Sequence, residues 1–264
     1  MLSALVLVVA GSLWGGQATT DHLGSWTVGG VRGTLQAAGL LFFAFAGYAR
    51  IATLGEEVVD PARTIPRAIP TALAITLTVY ATVATAALLA AGPEALATSD
   101  APLATAVRAG SLDVLVPVVR VGGTVAALGV LLSVIVGISR TGFAMASRGD
   151  LPRWLDAVHH RHRVPHRAEL VVGVVVTAIV TVADVRHAIG FSSFCVLVYY
   201  AIANASAFTM RNGGQVNRAT AVAGIAGCAL LAAMLPAASV IGGLVVLIVG
   251  VMARVAGQAV RADG

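Results

Sequence analysis

An aromatic run inside an apolar segment holds the residues best suited to chemistry. The segment from Leu41 to Ile69 reads LFFAFAGYARIATLGEEVVDPARTIPRAI, and its apolar half is interrupted at Gly47. Peptide N–H and C=O groups left unpaired at a break in a membrane helix can replace the water around a polar solute without adding a fixed charge. Because lipid tolerates such a break only beside a cavity or packed protein, the pattern indicates a solute-binding site around Gly47.

Charged residues follow this aromatic run. Glu56 and Glu57 precede a loop that contains Arg63, and Arg140 ends a later apolar segment. One interpretation is an inner gate, in which one glutamate pairs with Arg63 or Arg140 in one conformation and releases it in another. The other interpretation is a solvated helix end, and the sequence leaves both open.

Four histidines form the most conspicuous polar cluster: His159, His160, His162 and His166. Their spacing matches no zinc pattern with supporting cysteines and no HExxH helix. Arginines alternate with them, so a basic face toward anionic lipid is the simpler account. We therefore expect neither a metal site nor a cofactor.

The elements that position these residues must be membrane helices. Apolar residues make up 58% of the chain and charged residues 11%, whereas a soluble domain has about a quarter of its residues charged. The pI near 10 reflects arginines in loops, so no nucleic-acid partner is expected. Cys195 and Cys228 lie in separate apolar runs, where free cysteines behave as small hydrophobes.

Seven segments meet or approach the roughly 20 apolar residues that cross a bilayer: 33–54, 67–91, 115–140, 169–183, 188–210, 219–235 and 238–253. We predict an all-α, polytopic integral membrane helix bundle over residues 33–255. Residues 1–13 form a partial membrane helix, residues 14–32 an extracellular loop and residues 256–264 a cytoplasmic tail. Most arginines fall on the side of residues 56–66, which predicts a plasma-membrane protein with its C-terminus in the cytoplasm.

Two motifs resemble one known family. The run FFAFAGYARIATLGEE followed by DPARTIPRAI resembles the sixth span and following loop of the amino acid permeases of the amino acid-polyamine-organocation superfamily. The string GISRTGFAMASRGDLPRWL with HRHRVPHRAE after it resembles the inner end of their eighth span and the loop entering the ninth. The resemblance covers nearly the whole chain. It implies a leucine-transporter-type fold, in which two inverted five-helix repeats place broken first and sixth helices across a central substrate site.

The resemblance also assigns roles to residues. It implies an unwound, substrate-binding segment formed by Phe43, Ala44, Phe45, Ala46, Gly47 and Tyr48. Phe43 is expected to close over the substrate, because an aromatic ring supplies a cation-facing surface with few rotatable bonds. Some relatives carry an acid at the position of Ala49, so its absence favours a neutral or small amino acid. The alternative is that these aromatics only pack within the bundle, where glycine is common.

Measured against the family pattern, the chain starts in the fifth helix, so the first repeat is largely missing. We expect the C-terminal part of a secondary active amino acid transporter that works by alternating access. The alternatives are a non-transporting scaffold and a half-transporter that needs a separate N-terminal part or a second copy of the chain. An enzyme is disfavoured, because no catalytic motif occurs.

Ion coupling stays open at this stage. Ser133 and Ser139 could ligate sodium together with carbonyls of the missing first helix, although a serine in a membrane helix more often bonds to its own backbone. Some family members use a lysine in the fifth helix instead, and residues 1–10 contain no ionisable side chain. Sodium coupling and proton coupling therefore both remain.

Overall fold

The computed structural model describes residues 2–14, 18–23, 29–48, 58–161, 164–182, 184–209 and 218–262. These residues are helical almost throughout and include no strand, which confirms the all-α class. Contacts divide the chain into two compact units. Unit 1 holds Met1–Val28 and Tyr48–Val134, and unit 2 holds Gly29–Gly47 and Ile135–Gly264.

The α-helices within the described ranges are α1 (Leu2–Trp14), α2 (Gly30–Leu41), α3 (Pro61–Ala97), α4 (Pro102–Ala109), α5 (Val116–Ser147), α6 (His166–Val182), α7 (Val185–Thr209), α8 (Arg218–Met234) and α9 (Ala237–Ala262). Short 3₁₀ helices occur at Thr20–Leu23, Phe42–Tyr48, Asp113–Leu115 and Arg153–Leu155. Six of the seven segments proposed from hydropathy each overlap one of these α-helices, and the described part of the segment 33–54 is divided between α2 and the 3₁₀ helix Phe42–Tyr48.

Four helices are long and apolar enough to cross a membrane: Pro61–Ala97, Asp113–Ser147, His187–Thr209 and Ala237–Val255. Three shorter apolar helices also occur in the described part, at Leu5–Trp14, Gly30–Phe45 and Arg218–Met234. The multi-pass membrane class is therefore confirmed. The full set of seven crossings stays a prediction.

Unit 1 is built where α1 packs against α3 and α4. Its core contains Val8 of α1, Ala104 and Val107 of α4, and Val116 and Val119 at the start of α5. These side chains are small or β-branched, so the helices approach one another closely.

Helix α3 is broken near its end, at Gly92. Gly92 has a φ of +76°, and the next residue is Pro93. Proline has no N–H, so the Leu89 carbonyl lacks the donor that a regular helix would supply. The Thr19 amide at 3.1 Å and the His22 Nδ1 atom at 2.9 Å take its place. Because a carbonyl only accepts, the hydrogen lies on Nδ1 of His22.

Unit 2 is organised around α7, which contacts α2, α8 and α9. Close approach requires glycine at several places, of which Gly190 of α7, beside the Ser239 hydroxyl, is one. A Cβ at Gly224 of α8 would overlap the Asn204 side chain, and one at Gly243 of α9 would overlap the Phe194 ring. Pro236 separates α8 from α9, as its position in the sequence predicts, and its carbonyl accepts hydrogen bonds from the next helix.

Candidate functional site

The aromatic run lies where one helix changes its type. The α-helical part of α2 ends at Leu41, and Phe42–Tyr48 continues as a 3₁₀ helix of 7 residues. Runs of 3₁₀ helix longer than three or four residues are uncommon, and inside a helix they often indicate a hinge or a sequence under strain. The sequence therefore identified a segment with unusual backbone geometry.

The change begins at Phe42, before the position expected from the sequence. Among the described glycines, positive φ angles occur at Gly30, Gly92 and Gly149 and not at Gly47. The backbone at Gly47 therefore does not depend on the conformational freedom of glycine. A Cβ built there meets no described atom within 4 Å. What the glycine provides in this conformation is open space beside the 3₁₀ turn.

Helix α7 contacts α2 at the point where the α-helix changes into a 3₁₀ helix. The Ser193 hydroxyl donates a hydrogen bond of 3.0 Å to the Leu40 carbonyl. Seven residues further along the same face of α7, the Tyr200 ring packs edge-on against Phe42, with centroids 5.7 Å apart and an angle of 81° between the planes. Ser193 is fully buried and Tyr200 nearly so. Both contacts fix the end of α2 where the helix tightens.

The aromatic side chains of the 3₁₀ segment divide into packed and open ones. Phe42 is half-buried against α7, whereas Phe43 is 46% exposed. Ala44 and Gly47 are also exposed, and Phe45 is half-buried. The side chains of Ala46 and Tyr48 lie outside the described set. The packing interpretation therefore fits Phe42, and Phe43 keeps the open ring that substrate closure would need.

Ser193 is the residue that sequence reasoning missed. It lies in an apolar helix without a neighbouring charge, and serines in such helices commonly bond to their own backbone. It lies two helical turns before Tyr200, so the two residues share one face of α7, but this spacing does not indicate a partner on α2. Asn204, one turn beyond Tyr200, donates instead to the Tyr200 carbonyl of its own helix at 2.8 Å.

The residues of the predicted gate are only partly described. Glu56 and Glu57 lie outside the described residues, as does Ala49. Arg63 is exposed in the first turn of α3, and Arg140 is exposed near the end of α5. Arg63 belongs to unit 1 and Arg140 to unit 2. Because neither glutamate is described, the pairing of a glutamate with either arginine stays a prediction.

Ser139 forms the local hydrogen bond that a membrane serine favours. Its hydroxyl donates to the Val136 carbonyl at 3.1 Å and is fully buried. This bond occupies the only hydrogen of the hydroxyl, while its lone pairs remain. Sodium ligation by Ser133 and Ser139 stays a prediction.

Two histidines of the cluster contact each other. The rings of His159 and His166 meet edge to face, with centroids 5.4 Å apart. The Arg161 amide donates to Nδ1 of His159 at 3.2 Å, and His162 lies outside the described residues. Across the part of the chain that the structure describes, no three His, Cys, Asp or Glu side chains are grouped so that they could hold a metal ion.

The architecture defines a class: a polytopic helical membrane protein with a helix that changes type beside buried polar contacts. A family model described as amino acid permease matches residues 1–260. The chain belongs to the amino acid permease family, as its two motifs predicted.

Relatives support this assignment. The chain is 58% identical over 254 residues to an uncharacterized transporter of Mycobacterium tuberculosis, a match that covers 96% of this chain and 58% of the relative. It is 30% identical over 140 residues to a branched-chain amino acid permease of Bacillus subtilis, covering 53% of this chain and 30% of the relative. A cationic amino acid transporter of Arabidopsis thaliana, described as chloroplastic, is 28% identical over 183 residues, with coverage of 68% and 31%. The chain spans 58% of the length of its mycobacterial relatives.

Proposed function

We propose that this chain supplies the substrate-binding helix and the inner gate of a secondary active amino acid transporter that works by alternating access. Membership of the amino acid permease family supports the class of activity. The observation that carries the position of the site is the 3₁₀ segment Phe42–Tyr48 at the end of α2. In this proposal the chain lies in the plasma membrane, and its arginine-rich loops and its C-terminus face the cytoplasm.

Backbone groups bind the substrate in this proposal. A free amino acid carries an ammonium and a carboxylate, and both must exchange water for other partners before they cross lipid. The i→i+3 hydrogen bonds of a 3₁₀ helix have poorer geometry than those of an α-helix, and in this proposal they give way to the two charges of the substrate. The bond from Ser193 to the Leu40 carbonyl anchors this segment from α7, so the binding carbonyls of Phe43 to Phe45 start from a fixed point.

The preferred substrate is a neutral amino acid. The relatives named above include one for branched-chain and one for cationic amino acids, so family membership alone does not choose between them. The residue two positions after Gly47 is Ala49, which supplies no anion for a cationic side chain. A cationic substrate would lose its hydration without gaining a charged partner.

A glycine substitution tests the site without disturbing the packing. Because a Cβ at Gly47 meets no described atom, Gly47→Val is expected to insert and fold but to fill the space that the substrate needs. Binding of radiolabelled leucine to the purified chain in lipid nanodiscs should fall at least tenfold. Gly129→Val is the matched control, since a Cβ at Gly129 of α5 also meets open space.

Unlabelled leucine and arginine should compete unequally in the same assay, with leucine the stronger competitor. If Gly47→Val and Gly129→Val bind leucine as the unaltered chain does, the site is not at this segment. If arginine competes better, the segment keeps its role but the neutral preference is wrong.

The inner gate pairs Glu56 or Glu57 with Arg63 or Arg140. Removing one charge of such a pair should change the balance between inward-open and inward-closed states, and exchanging the two charges should restore it. We expect Glu57→Arg or Arg63→Glu alone to lower uptake into proteoliposomes, and the double exchange to recover part of it. Additive losses in all four glutamate–arginine combinations would contradict the gate.

The alternative of a half-transporter is tested by a separate uptake experiment. The chain covers 58% of the mycobacterial relatives, so the complete cycle is proposed for the chain together with whatever supplies the other helices, either a separate N-terminal part or a second copy. Uptake by the chain alone is compared with uptake after co-reconstitution of the N-terminal part of a relative. Leucine binding without uptake in either case would favour the non-transporting scaffold.

A further inference from the structure

The loop between α5 and α6, residues 148–165, combines basic and aromatic surface. From residue 148 to residue 169 the sequence contains five arginines and four histidines against three acids. One of those acids is already neutralised, because Asp150 lies 3.4 Å from the Nε atom of Arg254 on α9. The excess of positive charge is therefore available to an outside partner.

The described residues of the loop are held in place by contacts with one another and with α6. Leu155, the last residue of the short 3₁₀ helix Arg153–Leu155, is buried. The guanidinium of Arg167, in the first turn of α6, donates to the Trp154 carbonyl at 3.2 Å. Further on, the His159 amide donates to the Val164 carbonyl at 2.9 Å. These contacts fix Trp154 to the level of the start of α6.

The predicted crossing of residues 169–183 would put that level at the edge of the bilayer. Helix α6 has 17 residues, or about 26 Å at 1.5 Å per residue, slightly less than the roughly 30 Å of hydrocarbon. If α6 spans the bilayer, its first turn must lie at the headgroups. Trp154 is 53% exposed there, and Arg153 and Arg161 are exposed as well. Tryptophan and arginine are the residues that anchor at this depth.

We propose that this loop is a binding surface for the headgroups of anionic phospholipids. The Trp154 ring lies among the glycerol and headgroup region, and Arg153 and Arg161 bind the phosphates. A membrane is favoured over an acidic protein partner because the arginine bond to the Trp154 carbonyl places the exposed ring beside the first turn of an apolar helix. This role is independent of whether the 3₁₀ segment binds an amino acid.

The test uses fluorescence of Trp154 in the full-length chain. Trp14→Phe and Trp26→Phe leave Trp154 as the single tryptophan. The chain is reconstituted into phosphatidylcholine vesicles that contain a minor fraction of a brominated lipid. This lipid is either phosphatidylglycerol or phosphatidylcholine, and in both the bromine lies near the headgroup end of the acyl chain. We expect brominated phosphatidylglycerol to quench Trp154 at a several-fold lower fraction than brominated phosphatidylcholine.

Charge variants separate a specific surface from general attraction. Arg153→Gln and Arg161→Gln should each remove most of this preference, because one basic residue near an anionic surface is worth about 1 kcal/mol, or about fivefold. Arg108→Gln and Arg120→Gln, at exposed arginines predicted to lie on the opposite side, are the controls. The preference should also fall when salt is raised from about 0.1 M to 1 M.

Three results would overturn the proposal. Equal quenching by the two lipids would mean that the loop has no preference for anionic headgroups. Equal losses in the loop variants and in the controls would mean that the preference arises from total charge. Saturable binding of inorganic phosphate to the detergent-solubilised chain, lost in Arg153→Gln, would assign the surface to a soluble anion instead.

Discussion

Neighbouring phenylalanines at the end of α2 have different surroundings and so different expected roles. Phe42 packs against Tyr200 of α7, whereas Phe43 is 46% exposed. The sequence FFAFAGY contains no difference that would separate the two rings. Neighbouring side chains point in different directions around a helix, and the position of α7 decides which ring is packed and which stays open.

This difference gives a paired prediction at the residue scale. Phe42→Ala removes an edge-on aromatic contact, worth about 0.5–1.5 kcal/mol beyond its buried area, and should lower the melting temperature of the chain in nanodiscs. Phe43→Ala should leave the melting temperature nearly unchanged but weaken leucine binding by about 3- to 30-fold, if the ring covers the ammonium. Thermal unfolding and leucine binding are measured on both variants. The reverse pattern would assign substrate closure to Phe42.

Ser193 illustrates what pattern reading cannot find at this scale. Its hydroxyl reaches a carbonyl 153 positions away in the chain, and nothing local in the sequence of α7 indicates such a partner. Gly47 shows the converse case. The break in the helix was predicted at this conspicuous glycine, whereas the change from α-helix to 3₁₀ helix begins at Phe42. Residue types located the segment, while the contacts that fix it depend on tertiary structure.

Among the helices, α3 shows how a break is stabilised from outside. Pro93 removes the amide that would bond to the Leu89 carbonyl, and Thr19 and His22 of the preceding loop replace it. The ring of His22 also lies against Gly92, where a Cβ would approach it to 3.3 Å. The loop that contains His22 is thus fastened to the break in α3.

His22→Ala should remove the hydrogen bond between the His22 ring and the Leu89 carbonyl. The Leu89 carbonyl would keep only the Thr19 amide, and the loss of one hydrogen bond costs about 1 kcal/mol. Hydrogen exchange of the Thr19 amide should therefore accelerate about fivefold. Asp21→Ala, at a neighbouring exposed residue, is the control. Unchanged exchange in His22→Ala would show that the Thr19 amide holds the break alone.

Helix positions were largely predictable, because apolar length and proline placement determine them. The turn at Pro236 and the apolar runs that became α3, α5, α7 and α9 were read directly from the sequence. The beginning of α3 was less predictable: the helix starts at Pro61, before the segment 67–91, whereas the end of that segment coincides with the break at Gly92. Polar residues can extend a helix beyond the lipid, and hydropathy does not record this.

On the scale of the whole molecule, class and family follow from composition and from two motifs. Low charge content required membrane helices, and the family match over residues 1–260 agrees with the resemblance. The positions of the two units relative to a substrate depend on contacts between distant segments, which neither hydropathy nor motif order contains. The proposed substrate site is therefore argued from the 3₁₀ segment and its contacts with α7.

Substrate protection of a cysteine in the 3₁₀ segment tests this central claim most directly. Ala44→Cys, in a background with Cys195→Ala and Cys228→Ala, places a small reactive side chain at an exposed position of the segment. Saturating leucine should slow its reaction with a polar maleimide several-fold, while Val59→Cys, at a residue that is 89% exposed, should react equally fast with and without leucine. Modification of Ala44→Cys at the same rate in both conditions, on a chain that still binds leucine, would contradict the account.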